Sequence, residues 1–245
     1  MKISIIVATY NADKTLRRCL DSIVSQKTSE IELLIIDGGS TDGTTDIVCF
    51  YKEQVDYFVS EPDRGIYDAW NKGIRKASGQ WIMFLGADDF LLSDSISIYL
   101  DFLRSHQVEG IDIISGRCCF INETGRVLRT FGNPYKWSEF RKYMKISHGS
   151  TLHNSALFKE LGEFSLTFKI CADYEFLLRR PLKSLYIDRE LIAMQDGGMS
   201  NTLKGLYDGF RVKKYRKSIP ISLNFFFLVK GFVGFYYRKL KSNIN

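Results

Sequence analysis

Proline is scarce in this 245-residue chain, with four in all, and no stretch is repetitive or of low complexity. That excludes a linker-rich or repeat architecture. Cysteine is nearly as sparse. The five thiols, Cys19, Cys49, Cys118, Cys119 and Cys171, are odd in number and none stand in a CxxC pair. Neither a disulfide framework nor a zinc site is expected, and buried reduced thiols are. No G-x-G-x-x-G follows the first apolar run, which excludes a dinucleotide-binding fold of that kind. The opening stretch Met1 to Ala8 has no small-residue cleavage site and is too short and β-branched for a secretory leader, so a cytoplasmic chain is expected. What is present is ordinary globular composition, 45% hydrophobic and 25% charged, enough for one large α/β domain or two small ones.

The net charge of +6 is unevenly placed. Residues 204–245 hold ten Lys or Arg against one acid, Asp208, a net of +9 that leaves −3 for residues 1–203. A basic tail on a mildly acidic body seeks anionic lipid, a phosphorylated substrate or nucleic acid. Ile219 to Tyr237 is rich in Phe, Leu and Val, yet Pro220, Asn224 and Lys230 count against a bilayer span, which needs ~20 mostly apolar residues. At ~100° per residue, Lys230, Gly234, Arg238 and Lys241 share one side of a helix. Phe225, Phe226, Val229, Phe232, Val233 and Tyr236 largely cover the rest. An in-plane interfacial helix is expected, with a core or dimer helix as the alternative.

The first half alternates strand and helix signals. Ile3 to Ala8, Glu32 to Ile36, Asp56 to Val59 and Trp81 to Leu85 read as strands. Asn11 or Asp13 is placed to cap a helix carrying Leu16, Leu20, Ile23 and Val24. Ile66 to Ala77 is amphipathic, with Trp70, Ile74 and Ala77 on one face. Such alternation predicts a mostly parallel, doubly wound sheet, in which ligands bind outside the carboxyl ends of the strands. Further on, 112–115 and 118–121 read as strands, 172–180 as a helix, and 184–195 as two short strands broken at Asp188-Arg189. No linker divides the chain. One domain over 1–215 is expected, with a nucleotide half (1–110) and an acceptor half (111–215), followed by the tail (216–245).

Three groups of acids stand where chemistry is expected. Asp88-Asp89 follows the apolar run 81–85, where a carboxylate pair is costly unless solvated, hydrogen-bonded or bound to a hard cation. Asp37 and Asp42 flank a Gly-rich turn that lets a ligand approach the backbone. Asp173 and Glu175 open a helix, where either is placed to act as a general base or merely as a cap. Each group alone also fits a structural role.

The five segments Ser4 to Asn11, Asp37 to Thr44, Asp68 to Ile74, Gly79 to Asp89 and Ala172 to Glu175, in that order, resemble the family 2 glycosyltransferases of the GT-A fold. The resemblance implies a non-processive, inverting transfer of one sugar from a nucleoside-diphosphate sugar, of the UDP type, to a saccharide hydroxyl. It implies Thr9, Tyr10, Asn11, Asp37, Lys72 and Asp89 around the donor. Asp88 would hold Mg²⁺ or Mn²⁺, and Asp173 would be the catalytic base. Ser147 to Ser150 is similar to an acceptor-side segment, which puts His148 on an acceptor or a phosphate. Gly197 to Ser200 is similar to a loop that closes near the diphosphate. Gly86 departs from the pattern, because the family's acidic motif starts with Asp there. The Gln-x-x-Arg-Trp motif of processive synthases does not occur. Resemblance and tail together imply a polyprenyl-diphosphate-linked acceptor in surface polysaccharide assembly, at the inner face of the cell membrane, with no nucleic-acid partner. A sugar nucleotidyltransferase is the competing enzyme class, but Thr9-Tyr10-Asn11-Ala12 stands where its triphosphate loop is expected. A non-catalytic membrane adaptor is the competing non-enzyme.

Overall fold

The computed structural model describes residues 1–199 and 202–242, with side chains through Tyr237. Four parallel strands come first: β1 (Ile3–Thr9), β2 (Ile31–Asp37), β3 (Tyr57–Ser60) and β4 (Trp81–Gly86). They lie in the order β3-β2-β1-β4. β1 and β2 are buried along their whole length because both sheet faces are covered, which is why they are mostly apolar, with Ser4 donating to Glu32 where polar residues enter. Ile3, Ile5 and Val7 pack with Leu16, Cys19, Leu20 and Ile23 of α1 (Leu16–Val24). Ile6 and Ala8 pack with Ala69 and Trp70 of α3 (Ile66–Lys76). Each fully buried aliphatic side chain contributes about 1.5–3 kcal/mol, so these two layers fix the parallel part of the sheet firmly. A short α2 (Thr44–Phe50) completes the βα alternation.

Beyond β4 the sheet turns mixed and runs on through β8 (Thr151–Asn154), β6 (Ile113–Ile121), β9 (Ser184–Gln195) and β5 (Phe90–Leu91). β8 is antiparallel to β4 and β6, whereas β6 and β9 are parallel. β7 (Val127–Phe131) forms a hairpin with β6 around Gly125, whose φ is +81°. The helices of this half are α4 (Ser95–Ser105), α5 (Trp137–Phe140), α6 (Ser155–Leu161), α7 (Ala172–Leu177), α8 (Leu203–Tyr215) and α9 (Ile221–Ser242).

Several boundaries differ from the sequence reading. Residues 184–195 form one strand, not two. Ser115 pairs with Tyr186 and Arg117 with Glu190, so two residues of β6 span four of β9. This bulge absorbs Asp188-Arg189 without ending the ladder, and Arg117 then reaches Asp188 at 3.3 Å. The two strands expected at 112–121 are likewise one. Helix α1 begins after Thr15 with no side-chain cap, because Asn11 is bent to φ +47° and serves the neighbouring loop. Cys49 is exposed, unlike the buried thiols of Cys19, Cys118 and Cys119.

Candidate active site

The carboxyl ends of β1, β2 and β3 meet at one carboxylate. Asp37 is fully buried. It accepts from Thr9 Oγ1 (2.7 Å), Ser60 Oγ (2.6 Å), Ser40 Oγ (2.5 Å) and the backbone N–H groups of Gly39 (3.1 Å) and Ser40 (2.8 Å). Burial raises its proton affinity, but the donors from Ser40, Ser60 and Thr9 outweigh that and hold the carboxyl below its ordinary range. This corrects the expectation that Asp37 touches the nucleobase. Its lone pairs are spent on the protein, and its role is to shape the 37–40 loop. Thr9 is buried in the same network, and Asn11 Oδ1 accepts from Thr41 N at 2.9 Å. Of the three residues expected to line the nucleotide pocket, Tyr10, 64% exposed, and Asn11 are at the surface, and Thr9 is buried. Asp42 binds Thr44 and the Asp13 N–H, a turn-holding role. Lys72 pairs with Glu61 at 2.9 Å and donates to Pro62 O at 2.9 Å, which clamps the loop after β3 onto α3.

The end of β4 carries the acid pair. Asp88 is exposed and Asp89 buried. Burial, then the Asp88 charge, holds the Asp89 carboxyl well above its ordinary range. Gly86 explains how the motif survives the missing first acid. A Cβ there would lie 2.8 Å from Asp88 Oδ1 and 3.5 Å from Asp89 Oδ2, so both carboxylates turn into the room the glycine leaves. The exposed Asp88 carboxylate, with Asp89 buried beside it, suits a hard divalent cation that keeps its other positions for water and phosphate. Among the described residues no third His, Cys, Asp or Glu joins them.

Asp173 and Glu175, which the sequence left unseparated, part company in the structure. Glu175 is buried between Arg179, at 2.7 Å, and Arg216, and has no access to a substrate. Asp173 is half-buried at the cavity wall. Its Oδ1 accepts from Tyr174 N at 2.8 Å and lies 2.9 Å from Tyr67 OH, whose single proton is shared with Ile170 O at 2.6 Å. Burial raises the Asp173 carboxyl to about 6, against the lowering effect of the Tyr174 and Tyr67 donors. A base of that strength is matched to proton abstraction near neutral pH. Tyr67 and Asp208 were not found from the sequence. Tyr67 shares the buried face of α3 with Trp70, a signal already present in its spacing. Asp208 of α8 accepts from the N–H groups of Ile170 (3.0 Å) and Cys171 (3.1 Å), holding the turn that delivers Asp173. Nothing in its local sequence marks it.

Asp88, Asp89, Tyr67 and Asp173 line one cavity of about 910 Å³. His148 stands at its floor, stacked on Phe84 at 5.4 Å and tilted against Trp70 at 5.2 Å. Burial pushes its imidazole down to about 3, so any contact it makes to an acceptor or phosphate is that of a neutral ring. Gly198 and Met199 border the cavity, while Ser200 lies outside the described residues. The far wall comes from α8 and α9, through Lys213, Phe227, Leu228, Lys230 and Gly231. The tail helix is thus partly a wall of the site. Its Asn224 is buried and donates to Phe210 O at 3.0 Å. Gly234, expected on the basic side with Lys230, faces the cavity, and the side chains of Arg238 and Lys241 lie outside those described.

The mixed sheet resembles known sugar-transfer enzymes. S. aureus TarS 1–349 in complex with UDP-GlcNAc superposes with a TM-score of 0.67 at 19% identity, over 95% of this chain and 72% of that one. The mannosyltransferase PcManGT from Pyrobaculum calidifontis, in complex with GDP-Man and Mn²⁺, gives 0.65 at 17%, over 95% and 73%. The fold is that of the GT-A glycosyltransferases. Residues 4–166 match Glycosyl transferase family 2, and the chain belongs to that family. It is 30% identical over 228 residues to the PGL/p-HBAD biosynthesis glycosyltransferase of Mycobacterium tuberculosis, covering 89% of this chain and 84% of that one.

Proposed function

We propose that the protein transfers one sugar, with inversion, from a UDP-sugar to a hydroxyl of a lipid-linked saccharide at the inner face of the cell membrane, in surface polysaccharide assembly. The observation that carries this is the meeting of Asp173 and the Asp88-Asp89 pair in one cavity. The free Oδ2 of Asp173 takes the proton of the acceptor hydroxyl as its oxygen attacks the anomeric carbon. The bond from that carbon to the diphosphate oxygen breaks, and the nucleoside diphosphate leaves with the electron pair. Tyr67 holds the carboxylate in place for that transfer. Asp88, with Asp89 beside it, would hold Mg²⁺ or Mn²⁺, which would supply charge neutralisation at the leaving diphosphate. The donor lies over 1–110 and the acceptor against 111–215. Nucleoside-diphosphate release from a panel of sugar nucleotides tests the reading. One donor is expected to turn over, and Asp88→Ala should raise the Mn²⁺ needed for half-maximal rate by roughly 10–100-fold or more. Turnover of no donor, with membrane extract supplying acceptor, would overturn it.

The acceptor assignment rests on the α8–α9 wall. Lys213 is buried, and burial pushes its ammonium down to about 8. It has no carboxylate within ion-pair distance among the described residues, only Lys142 O at 3.4 Å and the rings of Tyr143 and Phe227. A cation so placed beside Phe227 and Leu228 suits a phosphate attached to an apolar chain. The opposite side of α9 exposes Phe225, Phe226, Val229, Val233, Tyr236 and Tyr237, a surface for insertion among anionic headgroups. Among the described residues no helix is long and apolar enough to cross a membrane. The two roles separate by mutation. Lys213→Met should weaken geranylgeranyl diphosphate binding, measured with UDP bound and no metal, by about 10-fold or more, and leave phosphatidylglycerol vesicle binding intact. Phe225→Ser with Phe226→Ser should do the reverse. Equal effects of both variants on both probes would sink the assignment.

A further inference from the structure

With Asp37 spent on its own loop, the nucleobase needs another reader, and the structure supplies one from a different strand. A Cβ built on Gly38 would meet Asp63 Oδ2 at 2.6 Å, Asp63 Cγ at 3.1 Å and Tyr10 Cδ2 at 3.3 Å. The room a side chain at position 38 would fill is thus occupied by the Asp63 carboxylate and the edge of the Tyr10 ring. Asp63 sits in the turn between β3 and α3, at the carboxyl edge of the sheet where a nucleoside is bound in folds of this kind.

The turn is held on several sides. Glu61 N donates to Asp37 O at 3.0 Å, and Lys72 grips both Glu61 and Pro62. Lys169 Nζ donates to Arg64 O at 2.9 Å, and Arg64 N to Asp68 Oδ2 at 3.0 Å. Asp63 itself accepts from Gly65 N at 2.7 Å through Oδ1. Among the described residues Oδ2 accepts no hydrogen bond. One carboxylate oxygen is therefore positioned in advance, half-buried, beside an exposed aromatic ring, with its lone pairs free.

We propose that Asp63 reads the base of the donor nucleotide by accepting the N3–H of uracil, with Tyr10 alongside. This deepens the nucleotide-sugar reading and rests on it. The chemistry selects the base. An ionised carboxylate only accepts. Uracil offers one ring N–H, which matches one free oxygen. Cytosine presents a lone pair at N3 and is repelled. Guanine offers a pair of N–H groups that calls for two free oxygens, and Gly65 holds one of them.

Titration of UDP, CDP and GDP, at one Mn²⁺ concentration, into wild type, Asp63→Asn and Asp63→Ala tests this. Wild type should favour UDP over CDP by about 10-fold or more, as expected for one mismatched buried partner. Asp63→Asn should lose that preference, because its amide N–H can face cytosine N3. 3-Methyl-UDP should bind wild type as weakly as UDP binds Asp63→Ala. Gly38→Ala provides a second route. It keeps the carboxylate but places a methyl 2.6 Å from Oδ2, and should erode the UDP preference with the circular dichroism spectrum unchanged. Retention of the wild-type UDP-to-CDP ratio in both Asp63 variants would overturn the role of Asp63. Tighter binding of GDP than of UDP would overturn the choice of base. Binding of no nucleotide by folded wild type would instead sink the nucleotide-sugar reading beneath it, and the proposal with it.

Discussion

Asp173→Asn is expected to lower kcat by about 10²–10⁴-fold, the range a general base contributes. KM for the donor should stay nearly unchanged, because the role proposed for Asp173 is toward the acceptor hydroxyl and not the nucleotide. The same substitution is expected to stabilise the protein at neutral pH. The Asp173 carboxyl is raised to about 6 in the folded chain, from an ordinary value near 3.9 in the unfolded one. Between those two values the folded state binds the extra proton, so stability falls as pH rises through the window and stays lowered above it. The difference corresponds to ~3 kcal/mol as an upper limit, reached only above pH 6. An amide carries no such cost. Melting temperatures of the two proteins should therefore diverge at pH 7.5, with the variant higher, and converge at pH 4. Wild-type kcat/KM should fall on acidification with an apparent pKa near 6, and residual Asp173→Asn turnover should show no such step. An active Asp173→Asn protein with the wild-type pH profile would mean that another group takes the proton.

The nucleotide half was legible because its signals are local. β1 and β2 are covered on both faces, so their residues are mostly apolar, and α1 and α3 carry their stripes at helical spacing. The acids at strand ends then fell at one edge by topology alone. What the sequence could not reveal was which lone pairs are already spent. Asp37 and Asp63 are both acids in Gly-rich turns, and only the five donors around Asp37 distinguish the loop-builder from the acid with a free oxygen. The acceptor half was harder for a different reason. β9 reads as broken at Asp188-Arg189 because a bulge opposite Arg117 keeps two charged residues inside a strand, a compensation made by a partner 71 residues away in the chain. The tail forms one helix, α9, one side of which closes the cavity, and a hydropathy pattern does not say which apolar face meets protein and which is left open. Asp208 and Lys213 owe their roles wholly to where α8 packs.

The other large effect is expected at Glu175, where the loss should be of fold and not of chemistry. Its side chain is 1% exposed and its two oxygens meet Arg179 of the segment just after α7 and Arg216 at the end of α8. Arg179 in turn donates to Leu161 O at 2.7 Å, so the carboxylate joins α6, α7 and α8 at one point. Removing one member of a buried ion-pair group leaves uncompensated charge, here two guanidinium groups, at a cost of about 3–5 kcal/mol. That is a large share of the ~5–15 kcal/mol by which a domain is stable. Glu175→Ala should lower the midpoint of urea unfolding steeply, and the protein recovered should be prone to proteolysis at the α7–α8 junction. Glu175→Gln keeps the shape and one acceptor, so its loss should be smaller. The catalytic readout separates support from chemistry. In Glu175→Gln, the activity per folded molecule should retain the rise near pH 6 that belongs to Asp173. Normal unfolding behaviour combined with selective loss of turnover in Glu175→Gln would transfer the catalytic role to Glu175. Because Asp173 stands two residues before Glu175 on the same helix, the ion pairs set the base as well as the fold, and a KM for acceptor that rises alongside the lost stability is the expected sign of that coupling.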